Sequence, residues 1–90
     1  MVTIRIPTQL RSLSGNAAEV KVDGATVGEA LHALEAAHPG FGERLFDESG
    51  ALRRFVNVFC DDEDIRFLQG VDTTLMAGQV LSIVPAVAGG

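Results

Sequence analysis

The sequence predicts an α+β fold, one main helix packed on a mixed sheet of four to five strands. Three observations carry that expectation. Apolar residues alternate with polar ones at period two near both ends of the chain. A single capped run at helical spacing lies between them. The length of 90 residues leaves room for one hydrophobic core and no second domain.

The elements follow in order. Val2, Ile4 and Ile6 alternate with Thr3 and Arg5 as a half-buried strand, and Pro7, which has no N–H for a ladder, marks its end or an edge. Gly15-Asn16 signals a turn, after which Ala18, Val20 and Val22 alternate with Glu19 and Lys21. These two strands read as a hairpin with a connection longer than the tightest turns. Thr26 and Glu29 form a T-x-x-E capping box, and Val27, Ala30, Leu31, Leu34 and Ala37 then recur on one helical face. His38-Pro39-Gly40 ends that helix, because Pro39 disfavours helical backbone at the residue before it.

Residues 41–52 predict a short helical turn and a loop closing at Ser49-Gly50. Residues 54–60 form a third strand, Asp61 to Asp64 a turn, and Ile65-Arg66-Phe67 a short returning strand. Thr73 to Gly78 predicts a brief helical turn, and Val80 to Val84 the final strand. That strand is apolar on both faces, as befits a central position, and is placed beside the first strand. The order ββ-α-β-β-β around one helix is a β-grasp layout. Residues 1–84 form the domain, and 85–90 a flexible C-terminal tail.

Composition excludes several functions. The net charge is −5, and the seven Lys and Arg residues form no run longer than Arg53-Arg54, so no nucleic-acid surface is expected. No apolar stretch approaches a bilayer span, and no membrane partner is expected. Met1 to Pro7 lacks the basic segment and long apolar run of a signal peptide. A lone cysteine fits a reducing compartment. Together these features place the chain in the cytoplasm.

No catalytic constellation emerges. Cys60 precedes four acidic residues, whose field disfavours a thiolate, so it reads as structural. His32 and His38 match no ligand or triad pattern. Asp61 to Asp64 lacks calcium-loop spacing, and no metal site is expected. Gly24, Gly28, Gly40 and Gly42 form no phosphate-cradling loop. Arg53, Arg54 and Arg66 read as surface charge. The expectation is a protein substrate that binds no cofactor, not an enzyme.

The tail carries the functional signal. Gly89-Gly90 follows Pro85-Ala86-Val87-Ala88, and a terminal glycine pair has no turn to make. It presents the Gly90 carboxylate on a thin stalk able to enter a narrow cleft. Docking is expected on the sheet face away from the helix. There Phe55, Asn57 and Phe59 share one side of their strand, and Val80, Ser82 and Val84 one side of theirs. Polar Asn57 and Ser82 mark these sides as outward, leaving Phe59, Val84 and Pro7 as an exposed apolar patch.

Arg54-Phe55-Val56-Asn57, Asp62-Glu63-Asp64-Ile65-Arg66-Phe67 and Pro85-Ala86-Val87-Ala88-Gly89-Gly90 resemble the MoaD/ThiS family of ubiquitin-like sulfur carriers. With Ile6-Pro7-Thr8 and Glu43-Arg44-Leu45, the likeness spans nearly the whole chain, and it is nearest the actinobacterial cysteine-biosynthesis carriers. The resemblance implies that an E1-like adenylating sulfurtransferase uses ATP to activate Gly90, and that sulfur from a persulfide or sulfide displaces AMP. The resulting thiocarboxylate is a tethered sulfur donor. It further implies a PLP-dependent cysteine synthase as acceptor, or another sulfur-accepting synthase such as a thiosugar-forming one. A zinc-dependent peptidase would then release cysteine. The small subunit of molybdopterin synthase and a ubiquitin-like modifier joined to lysines remain alternatives.

Overall fold

The computed structural model describes residues 1–54 and 56–85. Strand β1 (Val2–Arg5) is followed by a 3-10 turn over Thr8–Ser14, strand β2 (Glu19–Val22), helix α1 (Val27–Ala37) and the short helix α2 (Phe41–Leu45). Strands β3 (Val56–Cys60) and β4 (Glu63–Asp64), 3-10 turns at Ile65–Phe67 and Gly70–Asp72, and strand β5 (Val80–Pro85) complete the fold. The sheet order is β2-β1-β5-β3-β4. β1 is antiparallel to β2 and parallel to β5, and β5 is antiparallel to β3. The sheet is therefore mixed, with β5 at its centre beside β1, as its two-sided apolar pattern predicts. This is the β-grasp, ubiquitin-like architecture.

The inner sheet face and the apolar stripe of α1 make one core. Ile4, Val58 and Leu81 from three adjacent strands meet Leu31 and Leu34 of α1 and Phe41 and Leu45 of α2, all fully buried. The helix starts where the capping box places it. Thr26 Oγ1 accepts from the Glu29 N–H at 3.2 Å, and Glu29 Oε1 accepts from the Ala25 N–H at 3.2 Å. Gly24 is required by the close approach just before it, since a Cβ there would lie 2.6 Å from the Ala30 nitrogen. Thr26→Ala removes the cap and is expected to destabilise the fold by about 1 kcal/mol, read as a lower urea midpoint at unchanged m.

Three local expectations are corrected. The returning strand is Glu63–Asp64, and Ile65–Phe67 is a 3-10 turn. Asp64 Oδ1 accepts from the Arg66 N–H at 2.9 Å and turns the chain off the sheet after two residues. Residues 73–78 are not helical; the turn lies earlier, at Gly70–Asp72. Thr74 bridges Thr26, with the Val27 N–H donating to Thr73 O at 3.0 Å and the Leu75 N–H to Ala25 O at 2.8 Å. That extended segment ties down the start of α1. Finally, Pro85, read as the first tail residue, pairs with Val56 as the last residue of β5. The β1–β2 connection also contains an unpredicted 3-10 turn, closed by Gly15 at φ +65°.

The 47–51 loop closes on Asp47, whose Oδ1 accepts from the Ser49 hydroxyl at 2.6 Å, the Ser49 N–H at 2.9 Å and the Ala51 N–H at 3.1 Å. The Ser49 hydroxyl bond holds this exposed carboxyl below its usual pKa, with the two backbone donors adding to the effect. Among the described residues, no helix is long and apolar enough to cross a membrane.

Candidate functional site

The site begins at the end of β5. Leu81 and Ile83 point into the core, which turns Val80, Ser82 and Val84 to the opposite face. In β3, Val56, Val58 and Cys60 are buried, and Asn57 and Phe59 are the half-buried outer residues. The face assignment read from Asn57 and Ser82 is thus the observed one.

Register assembles the outer face. Glu19, Arg5, Ser82, Phe59 and Asp64 lie opposite one another in a row across all five strands. Val84 pairs with Asn57 in the adjacent row. β1 pairs with β5 as far as Arg5 opposite Ser82, and Pro7 follows two residues later, immediately before the 3-10 turn. Val84 is 44% exposed, while Pro7 and Phe59 are half-buried. Arg5 Nε and Glu19 Oε2, 4.0 Å apart, supply a charged rim. Of the predicted site residues, Pro7, Phe59, Val84 and Pro85 fall in this region. Ala86, Val87, Ala88, Gly89 and Gly90, like Phe55, lie outside the described residues.

The residues set aside for chemistry have structural settings. Cys60 is buried, and burial pushes its thiol pKa up, with the charges of Asp61 and Glu63 adding to the rise. The acidic field anticipated from sequence is present but comes second to desolvation. His32 stacks on Phe46, ring centroids 5.3 Å apart and planes 8° from parallel. His38 caps the C-terminus of α1 through its N–H to Leu34 O at 2.8 Å. Among the described residues, no group of three or more His, Cys, Asp or Glu side chains could hold a metal ion.

Two features escaped the sequence reading. Phe67 is 86% exposed, because the Asp64-capped turn sends Ile65 into the core and Phe67 outward. Arg66, read as surface charge, bonds to Asn57 Oδ1 and to carbonyls of Arg53, Arg54 and Val56. The only sequence signal was the Asp64-x-Arg66 spacing, which fits an Asx-type turn as readily as strand alternation.

A β-grasp domain with its last strand in mid-sheet, in a sequence that ends in Gly-Gly, invites comparison with known proteins. Residues 4–90 match the ThiS family. The chain belongs to the ThiS family. Within it, the chain is 46% identical over 91 residues to the sulfur carrier protein CysO of Mycobacterium tuberculosis, covering 99% of this chain and 98% of that protein. A chain in the crystal structure of the Amycolatopsis orientalis BexX/CysO complex superposes with a TM-score of 0.93 at 44% identity, covering 100% of both chains. Small archaeal modifier protein 3 of Haloferax volcanii is 41% identical over 68 residues, 76% of this chain and 73% of that protein.

Proposed function

We propose that this chain is a sulfur carrier for cysteine biosynthesis, with Gly90 as the point of thiocarboxylate attachment. The observation that carries the reading is the 46% identity to a sulfur carrier along 99% of the chain. The position of β5 supports it, since the strand that leads into the tail runs mid-sheet between β1 and β3.

The chemistry divides between chain and partners. An adenylating partner brings the Gly90 carboxylate to ATP. A carboxylate oxygen attacks the α-phosphorus, pyrophosphate leaves, and an acyl-adenylate remains. Hydrosulfide attacks the acyl carbon, AMP departs with the bonding electron pair, and the product is a thiocarboxylate. The chain contributes an unhindered acyl end, Ala86 to Gly89 as the stalk beyond Pro85, and Pro7, Phe59 and Val84 as the docking patch. Gly89 and Gly90 suit a narrow cleft because neither has a Cβ. Ordering such a stalk costs conformational entropy, which contacts at the patch offset. On a cysteine synthase the thiocarboxylate sulfur forms the new C–S bond of the amino acid. An S-to-N acyl shift breaks the thioester and leaves cysteine amide-linked to Gly90, and a zinc-dependent peptidase hydrolyses that amide to release cysteine and restore the carboxylate end.

Intact mass spectrometry tests the reading. After incubation with ATP, sulfide and the adenylating enzyme from the same source, the chain gains the mass difference of one sulfur for one oxygen. No gain with an active enzyme removes the carrier reading. The likeness to an archaeal modifier protein favours a second reading, a protein modifier. That reading predicts high-mass conjugates through Gly90 in cell extracts in place of a discrete thiocarboxylated chain. The patch has its own test. Val84→Asp places a charge where an apolar partner surface docks, and raises KM for the carrier about tenfold or more while leaving kcat near wild type.

A further inference from the structure

We infer that Arg66 is a positioning residue for sulfur transfer, holding the end of β3 in the register that aims the tail. The inference rests on the carrier reading for its function, but its geometry stands apart from that reading. β4 is two residues long and pairs only with Phe59 and Cys60. Among the described residues, no strand lies along that edge of β3 at Val56 and Asn57. The Arg66 guanidinium takes that place. Nη2 donates to Val56 O at 2.9 Å and to the carbonyls of Arg53 and Arg54 at 3.3 Å each, while Nη1 donates to Asn57 Oδ1. Asp64 fixes the base of the side chain through the Arg66 N–H. Arg66 thus sends its side-chain bonds to three backbone carbonyls and one amide.

The other edge of the same two residues holds the tail root. Val56 pairs with Pro85, and Asn57 with Val84. On its far side β5 is paired with β1 only as far as Ser82, opposite Arg5. Past Ser82, β3 is the strand that β5 leans on, so the direction of the chain at Val84–Pro85 is set by the placement of Val56–Asn57. Arg66 braces that placement from behind. The planar, multi-donor fork reaches several acceptors at once; a lysine ammonium of similar charge offers no such geometry. Transfer chemistry is sensitive to small errors of aim, with about 1 Å of displacement able to cost about 100-fold in rate.

Steady-state loading of Arg66→Ala and Arg66→Lys, with the carrier as varied substrate, tests the role below the melting temperature of each variant. Arg66→Ala is expected to lower kcat about tenfold with KM unchanged, since aim is lost and docking is not. Arg66→Lys restores little. Amide exchange on the isolated chain gives a readout independent of any enzyme: it accelerates at Asn57 and Val84 and stays as in wild type at Leu81. A raised KM with intact kcat would make Arg66 a partner contact and overturn the proposal. So would a lower melting temperature with unchanged loading. If wild-type chain is not loaded at all, the carrier reading fails and exchange alone decides. Unchanged exchange at Val84 then overturns the brace, and faster exchange upholds it.

Discussion

Deleting Gly90 abolishes sulfur loading and leaves the melting temperature where it was. The reason is reach. The carboxylate moves back to Gly89, about 3.3–3.6 Å of chain closer to the domain. Reacting atoms must come within about 3–3.5 Å for productive attack, so the deficit is as large as the whole approach distance. On the docking patch proposed above, contacts at Pro7, Phe59 and Val84 set how far the domain advances, so it does not follow its tail into the cleft. A loss of at least about 100-fold in loading is expected. Stability is untouched because strand pairing in the described chain ends at Pro85, opposite Val56. Gly90→Ala separates reach from shape: the carboxylate stays at full length, but a Cβ now flanks it. Its loading falls less than that of the deletion. Intact mass after incubation with the activating enzyme reads all three chains in parallel. Loading of the deleted chain at the wild-type rate would move the sulfur to an atom other than the Gly90 carboxyl.

The contrast between what sequence disclosed and what it hid follows from the range of the interactions. Face assignment in β3 and β5 was legible because burial on one side of a strand forces period-two alternation, which Val56, Val58, Leu81 and Ile83 obey. The start of α1 was legible because a capping box is written in four consecutive residues. The centrality of β5 was legible from apolar residues on both faces. Ile65-Arg66-Phe67 was not legible, since an apolar-charged-apolar triplet satisfies a strand as well as a turn. The decision came from the Asp64 carboxylate bonding the Arg66 N–H. Nor could the partners of Arg66 be read, because they stand 9 to 13 residues away and three of its four acceptors are main-chain oxygens with no sequence signature. The same holds at residues 73–78, where pairing with Ala25 and Thr26 overrides local preference. In the candidate site, the outward faces of β3 and β5 came from alternation, whereas the hydrogen bonds of Arg66 required the fold.

Leu81→Ala is the substitution expected to damage the fold most while leaving the chemistry of each folded molecule intact. Leu81 is fully buried near the start of the central strand, with Ile4 opposite on one side and Cys60 on the other. Truncation removes its transfer energy and leaves a cavity that three strands and α1 cannot close without breaking register, a loss of about 2–5 kcal/mol. At about 0.05–0.15 kcal/mol per residue, a domain of this length has about 5–13 kcal/mol in total, so the loss is a large share. The urea midpoint falls at unchanged m, because the same surface is exposed on unfolding. Ser82→Ala, one residue on and facing outward, changes stability by no more than about 0.5 kcal/mol. Loading of Leu81→Ala, corrected for the folded fraction, stays near wild type, because neither the patch nor the Arg66 brace has been altered. A drop in loading beyond the loss of folded chain would mean that the core of β5, and not only its last two residues, sets the aim of the tail.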